Sequence, residues 1–300
     1  MNWFSKLSAT QLGILLAIAS AVIMGVHAPA ERGVFADGGN VALVMVVTTW
    51  ARALVLALFC CVTRKALYQS REDTKQAFIG GAFQTLSIFC TFSALYYLPA
   101  PLVIIIIYSH ALMLLFFMAW RREIKLDVTT VLTTISALGG LSFVLDLWHP
   151  QSSANWLGIG LSFMAALATV SRVYVYGHQT KTRNPAVVGA ENFLVAAPLA
   201  SLIVLVSPLQ MPASTVGYMW LGLASVVLAL GSFCIFYGIS LIGAFRNSLF
   251  MKIEPVFTCL FSVWFLNEVL KPQQYLGIAV VVGSLVIYQI SEQRRVKLRI

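Results

Sequence analysis

The sequence predicts an all-α integral membrane protein: ten transmembrane helices arranged as two inverted five-helix repeats around a central cavity. Three observations carry that expectation. The chain has 300 residues, 59% hydrophobic and only 10% charged, whereas a soluble domain has about 25% charged residues. Ten apolar segments are each long enough to cross a hydrocarbon core, which takes about 20 residues. The apolar segments also repeat, with an offset of 145 residues.

The segments follow one another with short polar connections. The first, 10–28, follows Lys6 and holds "LGILLAIASAVIMG". Lys6 is only a weak positive region and the apolar run continues to about Ala28 without a clear cleavage site after it, so the segment reads as an uncleaved first span. "PAERGVFADGG" leads to the second, 40–62, which carries Arg52 near its middle. "TRKALYQSREDTK" precedes the third, 76–97, with Gly80-Gly81 and Gln84. The fourth, 101–119, carries Tyr108, Ser109 and His110, and "RREIKLD" separates it from the fifth, 126–146, with Gly139-Gly140. "DLWHPQSSAN" closes the first half, so the domain reading is 1–150 and 151–300. The sixth span, 156–177, carries Arg172; the seventh, 185–207, carries Glu191; the eighth covers 216–241. The ninth, 245–266, contains "MKIEPVF", which puts Lys252, Glu254 and Pro255 inside an apolar run. The tenth, 273–290, holds Gly277 and Gly283. Small residues at such positions allow close helix approach.

Counting Lys and Arg in alternate connections gives 15 on one side and two, Arg32 and Lys271, on the other. Cytoplasmic loops carry the excess of basic residues, so both termini are expected in the cytoplasm. The same placement argues against nucleic acid, which needs a basic stripe on a polar surface. The five cysteines all lie in apolar runs, with no CxxC spacing and no accompanying His cluster, so they read as packing residues and no metal site or cofactor is expected. No HExxH, GxSxG, P-loop or dinucleotide fingerprint points to an enzyme. No charge ring or filter loop points to a channel.

The repeat bears on function. "LGILLAIASAVIMG" from Leu12 answers "LGIGLSFMAALATV" from Leu157, and Glu123 answers Glu268 at the same offset. Five spans is an odd number, so the second copy enters from the opposite side. Inverted repeats of this kind build secondary transporters, with a site near the midplane between the halves.

The closing segment "IEPVFTCLFSVWFLNEVLKPQQYLGIAVVVGSLVI" resembles that of the EamA-type drug/metabolite transporters. The likeness rests on Glu254-Pro255 within an apolar helix, Glu268 in the loop, and Gly277 and Gly283 in the last helix. In the first half Ser109-His110 stands where the second has Glu-Pro, and Arg52 falls where such proteins often carry an Arg. The resemblance implies two inverted five-helix repeats moving small metabolites across an inner membrane. Overall, the chain is most similar to the bacterial aromatic amino acid exporters. The expected partners are therefore a small-molecule substrate of amino acid type and the lipid bilayer of a bacterial inner membrane. The expected assembly is a monomer or weak homodimer.

Charges inside spans are costly and tend to face a cavity or a partner. Lys252 reads either as a contact for a substrate carboxylate or as a snorkelling side chain. Glu254 reads as a proton carrier or, preferentially, as the structural partner of Arg52 at similar depth. Pro255 lacks an N–H and clashes with the preceding turn, so a bent, hydrated place is expected there. His110, with Tyr108 and Ser109, and Gln84 are candidates for the substrate wall. Arg172 and Glu191 are expected to pair with each other near the cytoplasmic end, as a structural pair or part of an inner gate.

Overall fold

The computed structural model describes residues 8–147, 155–266 and 269–298. Lys6, Glu268, Arg299 and the 150/151 boundary lie outside the described residues. Thirteen α-helices follow in order: α1 Ala9–Gly25, α2 His27–Ala36, α3 Val41–Val62, α4 Arg71–Leu95, α5 Ala100–Tyr108, α6 His110–Trp120, α7 Val128–Val144, α8 Trp156–Thr182, α9 Pro185–Ser201, α10 Thr215–Ile242, α11 Ala244–Phe250, α12 Glu254–Leu266 and α13 Pro272–Leu298. Among the described residues, nine helical runs are long and apolar enough to span a bilayer, and α7 is a tenth apolar helix of 17 residues.

Polar residues at the connections start the helices, as their chemistry dictates. Ser8, Asn40, Ser70, Asp127, Asn155, Asn184 and Ser214 each accept a backbone N–H of the following first turn. Such caps satisfy donors that a helix leaves free at its start. Gly243 joins α10 to α11 in a single residue with φ +83, a conformation that costs glycine little.

Three spans are broken, and two of the breaks follow from proline. Pro29 lacks an N–H and crowds the carbonyl four residues back, so the first span kinks at Val26 and resumes as α2. It therefore runs Ala9–Ala36, eight residues past the expected end at 28. Pro255 acts likewise. The backbone tightens to a 3-10 turn over Met251–Ile253, and the Glu254 N–H donates to the Met251 carbonyl that proline leaves unpaired. The fourth span breaks at Ser109, where the Leu112 N–H donates to Ser109 O at 3.0 Å rather than to Tyr108 O. The repeat offset carries Ser109 onto Glu254, so the fourth and ninth spans break at matching places.

The packing also follows the repeat. α4 packs on α8, and α1 on α10; the offset turns one pair into the other. α3 packs on α9 and α7 on α13, pairs that the offset maps onto themselves. Such pairings are those of two equivalent halves exchanged by a two-fold axis. The α7–α13 crossing is tight: a Cβ on Gly277 would lie 2.7 Å from Gly140 O. Gly139 and Gly283, by contrast, face open space. Large apolar side chains such as Leu58, Leu132 and Trp264 are exposed on the outside, while Gln84, Glu191, Asn192 and Lys252 are buried within. That inversion suits a bilayer, where polar groups must find partners inside the protein.

Candidate functional site

A cavity of about 430 Å³ lies between the two halves. Its wall is built from matching stretches of each repeat: 24–31 and 169–176, 44–52 and Phe193, 84–92 and 228–239, 100–110 and 247–254. The offset carries Ser87 onto Ser232, and both line it. The charges are not matched: His27 maps to Arg172, Glu31 to Tyr176, and Ser109 to Glu254. A two-fold wall thus surrounds an asymmetric set of charges. The cavity extends past Thr91 and Leu95 of α4 and Ala100 of α5. It therefore reaches toward the end of the bundle opposite the start of α1 and the end of α13.

Two cations and two carboxylates face this space: Arg52, Arg172, Glu31 and Glu254. Arg172 Nη1 donates to Gln84 Oε1 at 3.0 Å, and the Tyr176 hydroxyl donates to the same oxygen at 3.5 Å. The Nε of Arg172 is buried with no partner. Arg52 Nε donates to Thr48 O at 3.2 Å, and its guanidinium lies 5.2 Å from the centre of the Phe193 ring. Glu254 Oε1 stands 3.9 Å from Nδ1 of His27, which also donates to Met24 O. Tyr108 lines the same wall as Glu254. Asn247 Oδ1, on the same wall, is buried without a donor. An unpaired buried donor and an unpaired buried acceptor each carry a desolvation cost that a polar solute could remove.

Of the residues singled out from sequence, Gln84, Tyr108, His110, Arg52, Arg172 and Glu254 line the cavity. His110 does so while its Nδ1 donates to Ile107 O at 2.9 Å. Lys252, Ser109, Pro255 and Glu191 do not line it. Ser109 turns its hydroxyl to Ile106 O at 2.6 Å. Lys252 is fully buried, with Nζ donating to Tyr108 O at 2.5 Å and lying 4.4 Å from the Tyr108 ring centre. It caps the carbonyl that the break at Ser109 releases, so the ammonium joins the two broken spans.

Neither of the two expected ion pairs is found among the described residues. Glu254 Oε1 has His27 Nδ1 at 3.9 Å rather than Arg52 as its neighbour, and Arg52 lies against Thr48 O and the Phe193 ring. Arg172 and Glu191 are not partners, because α8 continues to Thr182, past the expected end at 177. Arg172 therefore lies ten residues, about 15 Å by helical rise, from that end. Glu191 is nearer the end and meets Arg183 at 2.6 Å. The sequence reading missed Glu31, which it placed in a loop. The signal for it was Pro29 at the third position of a run, "HAPAERGVFA", that suits a short helix.

The EamA-like transporter family model matches residues 11–146 and again 153–289, together most of the chain. No match was found among curated proteins. One solved structure, described only as the crystal structure of a protein, is similar with a TM-score of 0.77 at 16% identity, over 92% of this chain and 96% of that one. That likeness is one of fold.

Proposed function

The chain belongs to the EamA-like transporter family, and on that premise we propose that it exports zwitterionic amino acids, aromatic or otherwise neutral in side chain, by alternating access. The observation that carries the reading is the charge balance of the cavity. Two arginines and two carboxylates line it, so its formal charge sums to zero with the histidines neutral. A solute with one carboxylate and one ammonium preserves that balance. A nucleotide sugar would set several negative charges against Glu31 and Glu254, and a cationic drug would face Arg52 and Arg172.

In this reading the substrate carboxylate approaches the unpaired Nε of Arg172, next to Gln84. The ammonium approaches Glu254 and the unpaired Oδ1 of Asn247. The apolar part of the side chain lies among Ile104, Ile107, Ile235 and Phe236. The volume falls within the range of about 300–1,000 Å³ for small-molecule pockets. If the basic end is cytoplasmic, the cavity described above faces out of the cell, as it should after substrate release or before return. A bacterial inner membrane with both termini inside is the setting this implies.

The test is counterflow in proteoliposomes with labelled amino acids, a nucleotide sugar and a lipophilic cation. Saturable uptake of one or more neutral amino acids driven by the same unlabelled solute inside supports the reading. Uptake of the cation or the nucleotide sugar alone rejects it.

A further inference from the structure

A cavity that opens at one end needs a seal at the other, and the seal must be able to part. Between the cavity and the end that carries the α3–α4 connection lies a polar network. Glu191, fully buried on α9, accepts Arg183 Nη2 at 2.6 Å on Oε1. Arg183 Nε also lies 3.2 Å from Asp73 Oδ1 at the start of α4. From the α3–α4 connection Tyr68 grips Glu191 twice: its backbone N–H donates to Oε1 at 2.5 Å and its hydroxyl to the Glu191 carbonyl at 3.1 Å. One layer nearer the cavity, Asn192 Nδ2 donates to Gln179 Oε1 at 2.8 Å. The network ties Tyr68 and Asp73 of the first repeat to Gln179, Arg183, Glu191 and Asn192 of the second.

Two independent features mark this network as one that opens. First, it is only half satisfied: Glu191 Oε2, Arg183 Nη1, Gln179 Nε2 and Asn192 Oδ1 are all buried without partners. Arg172 Nε and Asn247 Oδ1, on the cavity wall, are orphaned too. Unpaired polar atoms thus occur both on the cavity wall and in the network. Such groups destabilise the closed form and would gain water if the helices parted. Second, the connection that supplies Tyr68 is strained. Tyr68 is a non-glycine residue with φ +50, a region that bulky side chains rarely adopt. Strain of this kind persists where surrounding contacts enforce it, and it clusters at switches.

We infer that Tyr68, Arg183 and Glu191 form the latch of the inner gate, and that the cavity opens to the basic end by their separation. The inference rests on the alternating-access reading above. Tyr68 is the strap: its burial, and then the charge of Glu191, push its phenol pKa up, so the hydroxyl stays a donor. Release of Tyr68 relaxes its backbone and frees Glu191. Arg183, 15% exposed, is then able to turn to water, and Gln179 and Asn192 line the opened path.

The experiment places a cysteine at Ser87, on the cavity wall, in a chain whose five native cysteines are replaced by alanine or serine. Labelling by a membrane-impermeant maleimide is timed in proteoliposomes of known orientation, fixed by a terminal tag. With the latch intact, labelling is fast from the face opposite the tag and slow from the tag face. Tyr68→Ala and, separately, Glu191→Gln should raise labelling from the tag face about tenfold, the response to a modest shift of a two-state equilibrium. Tyr68→Phe keeps the backbone bond and should give a smaller rise. Tag-face rates unchanged in both Tyr68→Ala and Glu191→Gln, with opposite-face labelling retained as proof of folding, overturn the latch. Absence of labelling from either face in the parent overturns the open cavity, and the latch with it. Normal latch behaviour together with failed amino acid counterflow would reject the substrate reading alone.

Discussion

Replacing Lys252 with methionine separates two roles that the sequence leaves open for this residue. In the structure the ammonium sits 2.5 Å from Tyr108 O and away from the cavity. Methionine keeps the length of the stem and removes the charge, which leaves Tyr108 O buried and unpaired at a cost of about 1–3 kcal/mol. Lys252→Ala also removes three methylenes of packing, at about 0.8 kcal/mol each, so it should cost about 2–3 kcal/mol more than the methionine variant. With about 2–4 °C per kcal/mol for chains of this order, Lys252→Met should lower the Tm in detergent by about 2–12 °C. Lys252→Ala should lower it further. Counterflow by the folded methionine variant should stay within about threefold of the parent, because less than one factor-of-ten step of 1.4 kcal/mol in substrate binding is touched. The assays are thermal unfolding in detergent and counterflow on the same preparations. A methionine variant with an unchanged Tm but at least a tenfold loss of counterflow would refute the strut and return Lys252 to the substrate.

Two further outcomes concern the α7–α13 pair. Gly277→Ala would set a methyl 2.6 Å from Val144 N, a backbone atom that does not yield, so it should cost about 1–3 kcal/mol, while Gly283→Ala, with open space around it, should leave the Tm unchanged. Asp127 caps α7 through the Thr130 N–H and bonds to Arg295 at the end of α13. Burial alone would raise the pKa of its carboxyl, but the Arg295 and Thr130 hydrogen bonds outweigh burial and hold it below its ordinary value. A carboxyl depressed in the folded state contributes stability above its unfolded pKa, about 3.9, and that contribution fades as pH falls through the lower folded value. Asp127→Asn should therefore be less stable than the parent at neutral pH, and the gap should close on acidification, as read from Tm against pH.

The ten spans and their two-fold repetition were legible because apolar length and a fixed offset survive in a one-dimensional string. Pro255 also announced its break, since a missing N–H is a local property. The partners of the charges were not legible in this way. That a second carboxylate, Glu31, lines the cavity depends on how far the first span continues past Pro29, and the expected span ends before Glu31. Arg172 was placed too near the helix end because "GHQTKT" is polar enough to resemble a loop, yet it continues α8. Lys252 reads from its place in the span either as a substrate contact or as a snorkelling side chain; its direction in the structure is set by the Tyr108 carbonyl freed at the Ser109 break, 144 residues away. Depth is written in sequence spacing, whereas facing depends on tertiary breaks.

The central claim is that a charge-balanced cavity holds a zwitterion by its carboxylate at Arg172. Counterflow of a neutral amino acid and of its methyl ester, compared between the parent and Arg172→Gln, tests it most directly. Losing a charged hydrogen bond, about 1.5–3 kcal/mol, should weaken the amino acid about tenfold to a hundredfold and leave the ester, which has no carboxylate, no worse than in the parent. Equal losses for both solutes, or no loss for either, would contradict the account.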